Sequence, residues 1–565
     1  MESSSDTETL VNLFEFLEFK NALKLIKGMF AITLFDLRNN FIYFSRDRIG
    51  EKPLYLSFNK SSVLFGSELI SLTKFSSFNK DISMDALSSF FKFNYIPAPQ
   101  TIYKSTFKCP PGKFICIDLN KFLFNKTYEC FDDIFLNDGA LIDEYWSSFD
   151  LLDQSKEENK DFDQSSLKLE KIISKSVKNQ LISDMPIGAF LSGGIDSSLI
   201  TALMQKESME KVKTFTIGFE DKRYDESKYA SEVANHLGTN HTELILSQDD
   251  VINIIPDLSK IYNEPFADSS QIPTLLVSKL AKSQVSVALS GDGGDELFGG
   301  YNRYFLAPTV WAILKKFPYS LRRFGADIFL SSPNFLEALE NTSRLFYRKT
   351  PVQLVEKIQS LSSKVKNIKT EKDLFISLIS GYEDLSELLN FDSSPQSYAY
   401  NNEVWSNTSL SFQEKMMFLD MITYLPDDIM CKVDRATMAF SLESRAPFLH
   451  QDVVEASYKI PTEYKIKNKN GKHILRSILY KYVPKDLIER PKQGFGIPLN
   501  EWIKGPLKDV FYETMSDENL SHNLLNKSKI KKMLDDHIDG KRNWQNQLWA
   551  IHSFQNWFYE NKINS

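Results

Sequence analysis

Apolar and polar positions follow two different rhythms along the chain, and the change between them marks its organisation. From residue 28 to about 111, short apolar runs at 29–35, 41–44, 53–56 and 63–65 alternate with the turn residues Asn39, Asn40, Gly50, Asn59 and Lys60. Runs this short, rich in aromatic and β-branched residues, predict an antiparallel meander, and the spacing around 10–26 predicts a helix ahead of it. Residues 1–150 therefore read as an α+β unit. The stretch 153–161, Asp-Gln-Ser-Lys-Glu-Glu-Asn-Lys-Asp, is charged and lacks periodic apolar positions. It predicts a linker within 151–168. Beyond it, strand-like runs at 187–191, 213–219, 242–246 and 285–289 alternate with helical patterns from 197, over 227–237 and around 274–281. That alternation predicts an α/β domain over 169–565 with a parallel sheet and crossover helices. From about 306 the spacing is mostly helical, as at 374–389 and 415–424, and reads as helical elaboration closing over the sheet.

Composition narrows the function classes. With 67 Lys+Arg against 74 Asp+Glu the net charge is −7, so no basic excess exists to displace counterions from a nucleic acid. The four cysteines, Cys109, Cys116, Cys130 and Cys431, form no CxxC pair and fit a reducing compartment. No apolar run is long enough to span a bilayer, and the opening residues are acidic, unlike a signal peptide. A cytoplasmic protein without nucleic-acid or membrane partners is expected.

The chemistry concentrates at two strand ends. After 187–191 comes Ser-Gly-Gly-Ile-Asp-Ser-Ser (192–198), where two glycines lead into a helix. Glycines admit close backbone approach, and the unpaired N–H groups of a helix start attract phosphate oxygens. The spacing is neither a Walker loop nor a Rossmann fingerprint, so a pyrophosphate loop is the expected form. After 285–289 comes Ser-Gly-Asp-Gly-Gly-Asp-Glu-Leu-Phe-Gly-Gly-Tyr (290–301), whose three acidic residues within five positions call for a cation among them. Asp196 and Asp295 are the candidate Mg²⁺ carboxylates.

The first loop resembles the N-type ATP pyrophosphatases. Together with Val-Asp-Arg-Ala-Thr-Met (433–438), Glu-Ser-Arg-Ala-Pro-Phe-Leu (443–449) and Asn-Gly-Lys-His-Ile-Leu-Arg (470–476), the two loops resemble the glutamine-hydrolysing asparagine synthetases, in family order and over nearly the whole chain. The resemblance implies a ligase using ATP and Mg²⁺. Aspartate's β-carboxylate would attack the α-phosphate to give β-aspartyl-AMP, and ammonia, normally from glutamine, would displace AMP to give asparagine. It assigns Ser192, Gly193, Gly194, Ser197, Ser198, Ser290 and Gly291 to ATP, with Leu191 and Ile217 flanking adenine. Lys472 would act as a point charge on the pentacoordinate phosphate, and Asp292, where many members carry Glu, in intermediate formation. Glu443 and Arg445 bracket a turn before Pro447; they read equally as an ion pair within a helical lid or as aspartate recognition. The stretch 490–496 resembles a loop near the nucleotide and reads equally as a solvated basic turn. A related ligase acting on a sugar acid or peptide, a silent binding remnant, and a homodimer stay open.

Such synthetases begin with an N-terminal-nucleophile glutaminase whose first residue is cysteine. Residues 5–8, 28–31 and 46–55 resemble the later half of that domain, a remnant without its opening strands and nucleophile, with Asp6 at a glutamine-binding position or serving only as a helix N-cap. The remaining cysteines have no adjacent His, so glutamine hydrolysis by these residues is not expected, and a misassigned start codon or interrupted gene is the working explanation.

Overall fold

The computed structural model describes residues 5–124, 127–153, 161–221, 223, 225–331, 365–392, 394–489, 496–516, 518–520 and 523–561. Most of the expected linker (154–160), the resembling stretch at 490–495 and residues 332–364 of the helical elaboration that begins near 306 lie outside them.

The early strands form two sheets where one meander is expected. Strands β1 (Ala31–Asp36), β2 (Phe41–Arg46), β6 (Lys113–Asp118) and β7 (Ala140–Glu144) make one antiparallel sheet in the order β1-β2-β6-β7. Strands β3 (Tyr55–Phe58), β4 (Val63–Gly66) and β5 (Thr106–Lys108) make the other, in the order β4-β3-β5. The separation arises at 46–53, where Asp47 accepts hydrogen bonds from the backbone N–H groups of Ile49, Gly50, Glu51 and Lys52 and turns the chain between sheets. The preceding helix is likewise two, Asp6–Phe16 and Phe19–Leu25.

The later domain carries a five-stranded parallel sheet, β10 (Asn240–Leu246), β9 (Lys213–Phe219), β8 (Ile187–Phe190), β11 (Val287–Leu289) and β12 (Glu443–Arg445), in that spatial order. Helices Ile195–Glu207, Ser227–Leu237 and Gln271–Lys282 provide its crossovers. Residue alternation divides the core into two layers. Val287 and Leu289 face one apolar cluster together with Ala189 and Leu191, whereas Ala288 faces the other with Phe215 and Ile217. The strand β12 corrects the expectation of a turn at Glu443 and Arg445. Three residues are too few to show a period, and their strand identity comes from pairing with β11.

The two parts share one core. Phe91 packs on Phe554 and Tyr103 on Trp557, each with ring centroids 5.7 Å apart, so the C-terminal helix Gln545–Glu560 covers the segment between β4 and β5. Polar contacts cross the same boundary: Lys52 pairs with Asp434 at 3.0 Å, Arg435 donates to the Tyr55 hydroxyl and the Ser67 carbonyl, and Lys108 meets Glu264 at 2.8 Å. Both members of the last pair are buried, their side chains 7% and 5% exposed. Removing one leaves the other charged in a dry environment. Lys108→Met is expected to destabilise the fold by about 3–5 kcal/mol in a denaturant titration, and Lys108→Met with Glu264→Met to recover most of that loss.

Candidate functional site

The tips of β8 and β11 open into one cavity of about 590 Å³. At the first tip, Gly193 takes φ +70° and the chain enters the helix Ile195–Glu207 with Gly194 as its N-cap. The Ser192 and Ser197 hydroxyls lie 3.0 Å apart, and Ser197 Oγ accepts from the backbone N–H of Ser192, which sets the loop around the helix start. At the second tip, Gly293 takes φ +87° and begins the short helix Gly294–Phe298. The loops interlock closely: a Cβ on Gly291 would sit 2.8 Å from the backbone N of Ser197, and one on Gly294 would sit 2.6 Å from Cγ of Asp196. Glycine is required there for contact between loops as well as for turning.

Asp196 and Asp295 meet at one point. The Lys472 ammonium pairs with Asp196 through Oδ2 and with Asp295 at 2.6 Å. Burial by itself would favour neutral Lys472, but the two carboxylates more than reverse it and hold the ammonium charged. The backbone supports this placement at some strain, since Lys472 caps the helix His473–Leu479 with φ +58°, a left-handed conformation that costs a non-glycine residue energy. Gly471 precedes it because a Cβ there would collide with the Gly299 carbonyl.

Acidic groups around this centre are tuned by burial. Burial raises the Asp292 carboxyl, while the Ser290 hydroxyl and Lys432 draw it back. Burial and the neighbouring Asp295 push Glu296 up to about 7, and the Tyr301 hydroxyl donates to it at 2.5 Å. The Arg303 guanidinium stacks 4.2 Å from the Tyr301 ring centroid and pairs with Asp420 at 2.8 Å, which fixes the ring at the cavity wall.

Two carboxylates converging on a single cationic point are a donor pair that could hold a divalent ion. Among the described residues no group of three or more His, Cys, Asp or Glu side chains could hold a metal, so this pair would leave most of the coordination sphere to phosphate and water.

The cavity is lined by Leu191, Ser192, Gly193, Gly194, Asp196, Ser197, Ser290, Gly291, Asp292, Asp295 and Lys472. It is not lined by Ser198 or Ile217, which are buried in the body of the helix and in the core. Phe190 and Phe215 line the cavity in addition. Arg445 turns the other way. It donates to Glu443 at 2.6 Å and to the carbonyls of Gln180 and Ile182, capping the end of the helix Phe162–Gln180, so the ion pair is the contact formed and neither residue lines the cavity. Asp6 is exposed in the first turn of the helix Asp6–Phe16, with Ser5 as the N-cap.

Glu296 and Tyr301 stand within the acidic glycine loop, yet neither residue type at that spacing announces a separate role in the sequence. Lys432, one residue before Val433, and Asp268 likewise go unassigned from the sequence. Asp268 carries only the weak signal of Asp-Ser-Ser ahead of a helix.

No helix among the described residues is long and apolar enough to cross a membrane. A family model for asparagine synthase matches residues 168–559, and one for a glutamine amidotransferase domain matches residues 1–129. The chain is 30% identical over 561 residues to asparagine synthetase [glutamine-hydrolyzing] 1 of Bacillus subtilis, covering 98% of this chain and 81% of that protein. It is 28% identical over 545 residues to a putative asparagine synthetase [glutamine-hydrolyzing] of Mycobacterium tuberculosis, covering 95% and 77%. It is 36% identical over 335 residues to putative asparagine synthetase [glutamine-hydrolyzing] 2 of Methanocaldococcus jannaschii, covering 58% and 59%.

Proposed function

Because the chain belongs to the asparagine synthase family, whose members are ATP-dependent ligases, we propose that it activates aspartate with ATP and converts the product to asparagine with ammonia. The β-carboxylate oxygen of aspartate bonds to the α-phosphorus while the bond to the bridging oxygen breaks, so pyrophosphate leaves and β-aspartyl-AMP forms. Ammonia then bonds to the acyl carbon, loses a proton, and AMP leaves. The observation that supports this reading is the meeting of Asp196, Asp295 and Lys472 at the tips of adjacent parallel strands, where ligands of open α/β sheets bind.

The N–H groups and hydroxyls at 192–197 would receive phosphate oxygens, and Ser290 and Gly291 would bound the same phosphates from the second loop. Lys472 would donate to the equatorial oxygens as charge builds on them, already oriented and shielded from water. Asp292 would orient the attacking carboxylate from the loop that follows β11. Asp196 and Asp295 would hold Mg²⁺, which when bound supplies positive charge on the departing pyrophosphate.

The thiols present are poorly suited to glutamine hydrolysis. Burial pushes Cys109 up to about 12 and Cys431 up to about 11, and it raises Cys116 and the exposed Cys130 as well. Free ammonia is therefore the proposed nitrogen source for these 565 residues.

The test is pyrophosphate release with aspartate, Mg·ATP and either ammonium or glutamine. Ammonium is expected to support asparagine formation, and glutamine at least ~10-fold less. Absence of aspartate-dependent ATP–pyrophosphate exchange would refute the proposed adenylation.

A further inference from the structure

Lys432 is a buried cation that the adenylation chemistry above does not use. It is 8% exposed, lines the same cavity as Asp292 and Lys472, and donates to Asp268 Oδ2 at 2.6 Å. Asp268 is itself fixed, because its Oδ1 accepts from the backbone N–H and the hydroxyl of Ser270, both at 2.8 Å. A third group backs the pair. Asp428 stands in the wide helical turn Leu425–Ile429, one turn ahead of Lys432, and is buried beside Asp268, where both carboxyl groups act on the Lys432 charge. Wide turns of this kind recur where a helix must aim a side chain at a ligand.

The charges divide cleanly. Burial raises Asp428 well above the carboxylate range, and the neighbouring Asp268 reinforces this. Burial would raise Asp268 too, but chiefly Lys432, together with the backbone N–H of Ser270, brings it down to about 2. The result is an ammonium in direct contact with one carboxylate, itself anchored by Ser270, and backed by a second buried carboxyl group.

An ammonium has three N–H groups. One goes to Asp268, and among the described residues no other acceptor is hydrogen-bonded to Lys432. A dry ammonium with donors to spare at a cavity wall is a place for an anionic oxygen. The phosphate end of the cavity has its own cation, since Lys472 is anchored by Asp196 and Asp295 at the two glycine loops. Lys432 faces Asp292 and is tied through Asp268 to Ser270, just ahead of the helix Gln271–Lys282, and with Lys472 serving the phosphates it is available to the other ligand.

Resting on the aspartate-activating reading, we infer that Lys432 binds the α-carboxylate of the acceptor, with Asp268 and Asp428 as the positioning pair that fixes its ammonium. The substrate class is then a β-carboxylic acid that carries a second, free carboxylate. Blocking that second carboxylate, as in a peptide or an α-amide, removes the group Lys432 reads.

ATP–pyrophosphate exchange tests this in two arms. In the first, the unaltered protein is given aspartate or aspartate α-amide, and the amide is expected to raise KM ~10–100-fold. In the second, Lys432→Gln is expected to raise the aspartate KM ~10–100-fold with the ATP KM within ~2-fold, and to discriminate little between acid and amide. Asp428→Asn keeps a polar side chain of the same size beside Asp268 and is expected to retain the aspartate KM, whereas Asp428→Ala is expected to raise it as Lys432→Gln does. An α-amide used as well as aspartate, an unchanged aspartate KM in Lys432→Gln, or an equal rise in the ATP KM would overturn the assignment. Absence of exchange by the unaltered protein with every acid would instead overturn the parent reading, and this one with it.

Discussion

Lys472→Met is expected to lower aspartate-dependent ATP–pyrophosphate exchange by ~10²–10³-fold, the loss typical of removing one preorganised donor from a developing negative charge. The expectation rests on geometry. The ammonium is buried, held by two carboxylates from two different loops, and mounted on a backbone with φ +58° that only its surroundings sustain. A surface lysine would show none of these features. Methionine keeps much of the side-chain length but leaves Asp196 and Asp295 facing each other without a cation, so the two carboxylates repel. Mg²⁺ should therefore raise the melting temperature of Lys472→Met more than that of the unaltered protein. Equal exchange rates for the two proteins, measured at saturating aspartate and ATP, would show that Lys472 serves the fold alone.

Gly300→Ala is expected to cost at least ~10²-fold in the same exchange assay, although residue 300 itself offers no functional group. Its missing Cβ would lie 2.8 Å from Cγ of Asp295 and would collide with the side chain of Lys472. Both groups must move apart to admit it, and catalysis that depends on their orientation is sensitive to displacements of about 1 Å. Gly299 alongside, with φ +72°, and Gly471 opposite leave the backbone no room to yield. The melting temperature separates the two explanations for lost activity. A variant that melts near the unaltered protein while losing exchange places the effect in the site, and one that retains exchange contradicts the packing argument.

Legibility in the sequence followed the length of each pattern. The strand at 213–219 and the helix at 227–237 were placed to the residue because each presents several full periods of its rhythm. The strand β12 was not legible, since three residues carry no period and its place depends on a partner more than 150 positions away. The split of the early strands into two sheets was hidden for a similar reason: local alternation predicts strands, and pairing is decided by the turn that Asp47 builds. At the site, the glycine loops announced themselves because several constraints fall on neighbouring residues. Lys432, Asp268 and Asp428 did not, because each comes from a position that reads as ordinary helix or loop until the fold brings them together. Arg445 illustrates the converse. Its neighbourhood in the sequence suggested a ligand, and the carbonyls of Gln180 and Ile182 take its guanidinium.

The most direct measurement is a crystal structure of the protein with Mg²⁺ and an ATP analogue whose α–β bridge cannot be cleaved. The account predicts the metal about 2.0–2.1 Å from carboxylate oxygens of both Asp196 and Asp295, with the α-phosphate open toward Lys432 and Lys472 within hydrogen-bond reach of the phosphates. A nucleotide seated away from the glycine loops, or a metal bound by neither carboxylate, would contradict it.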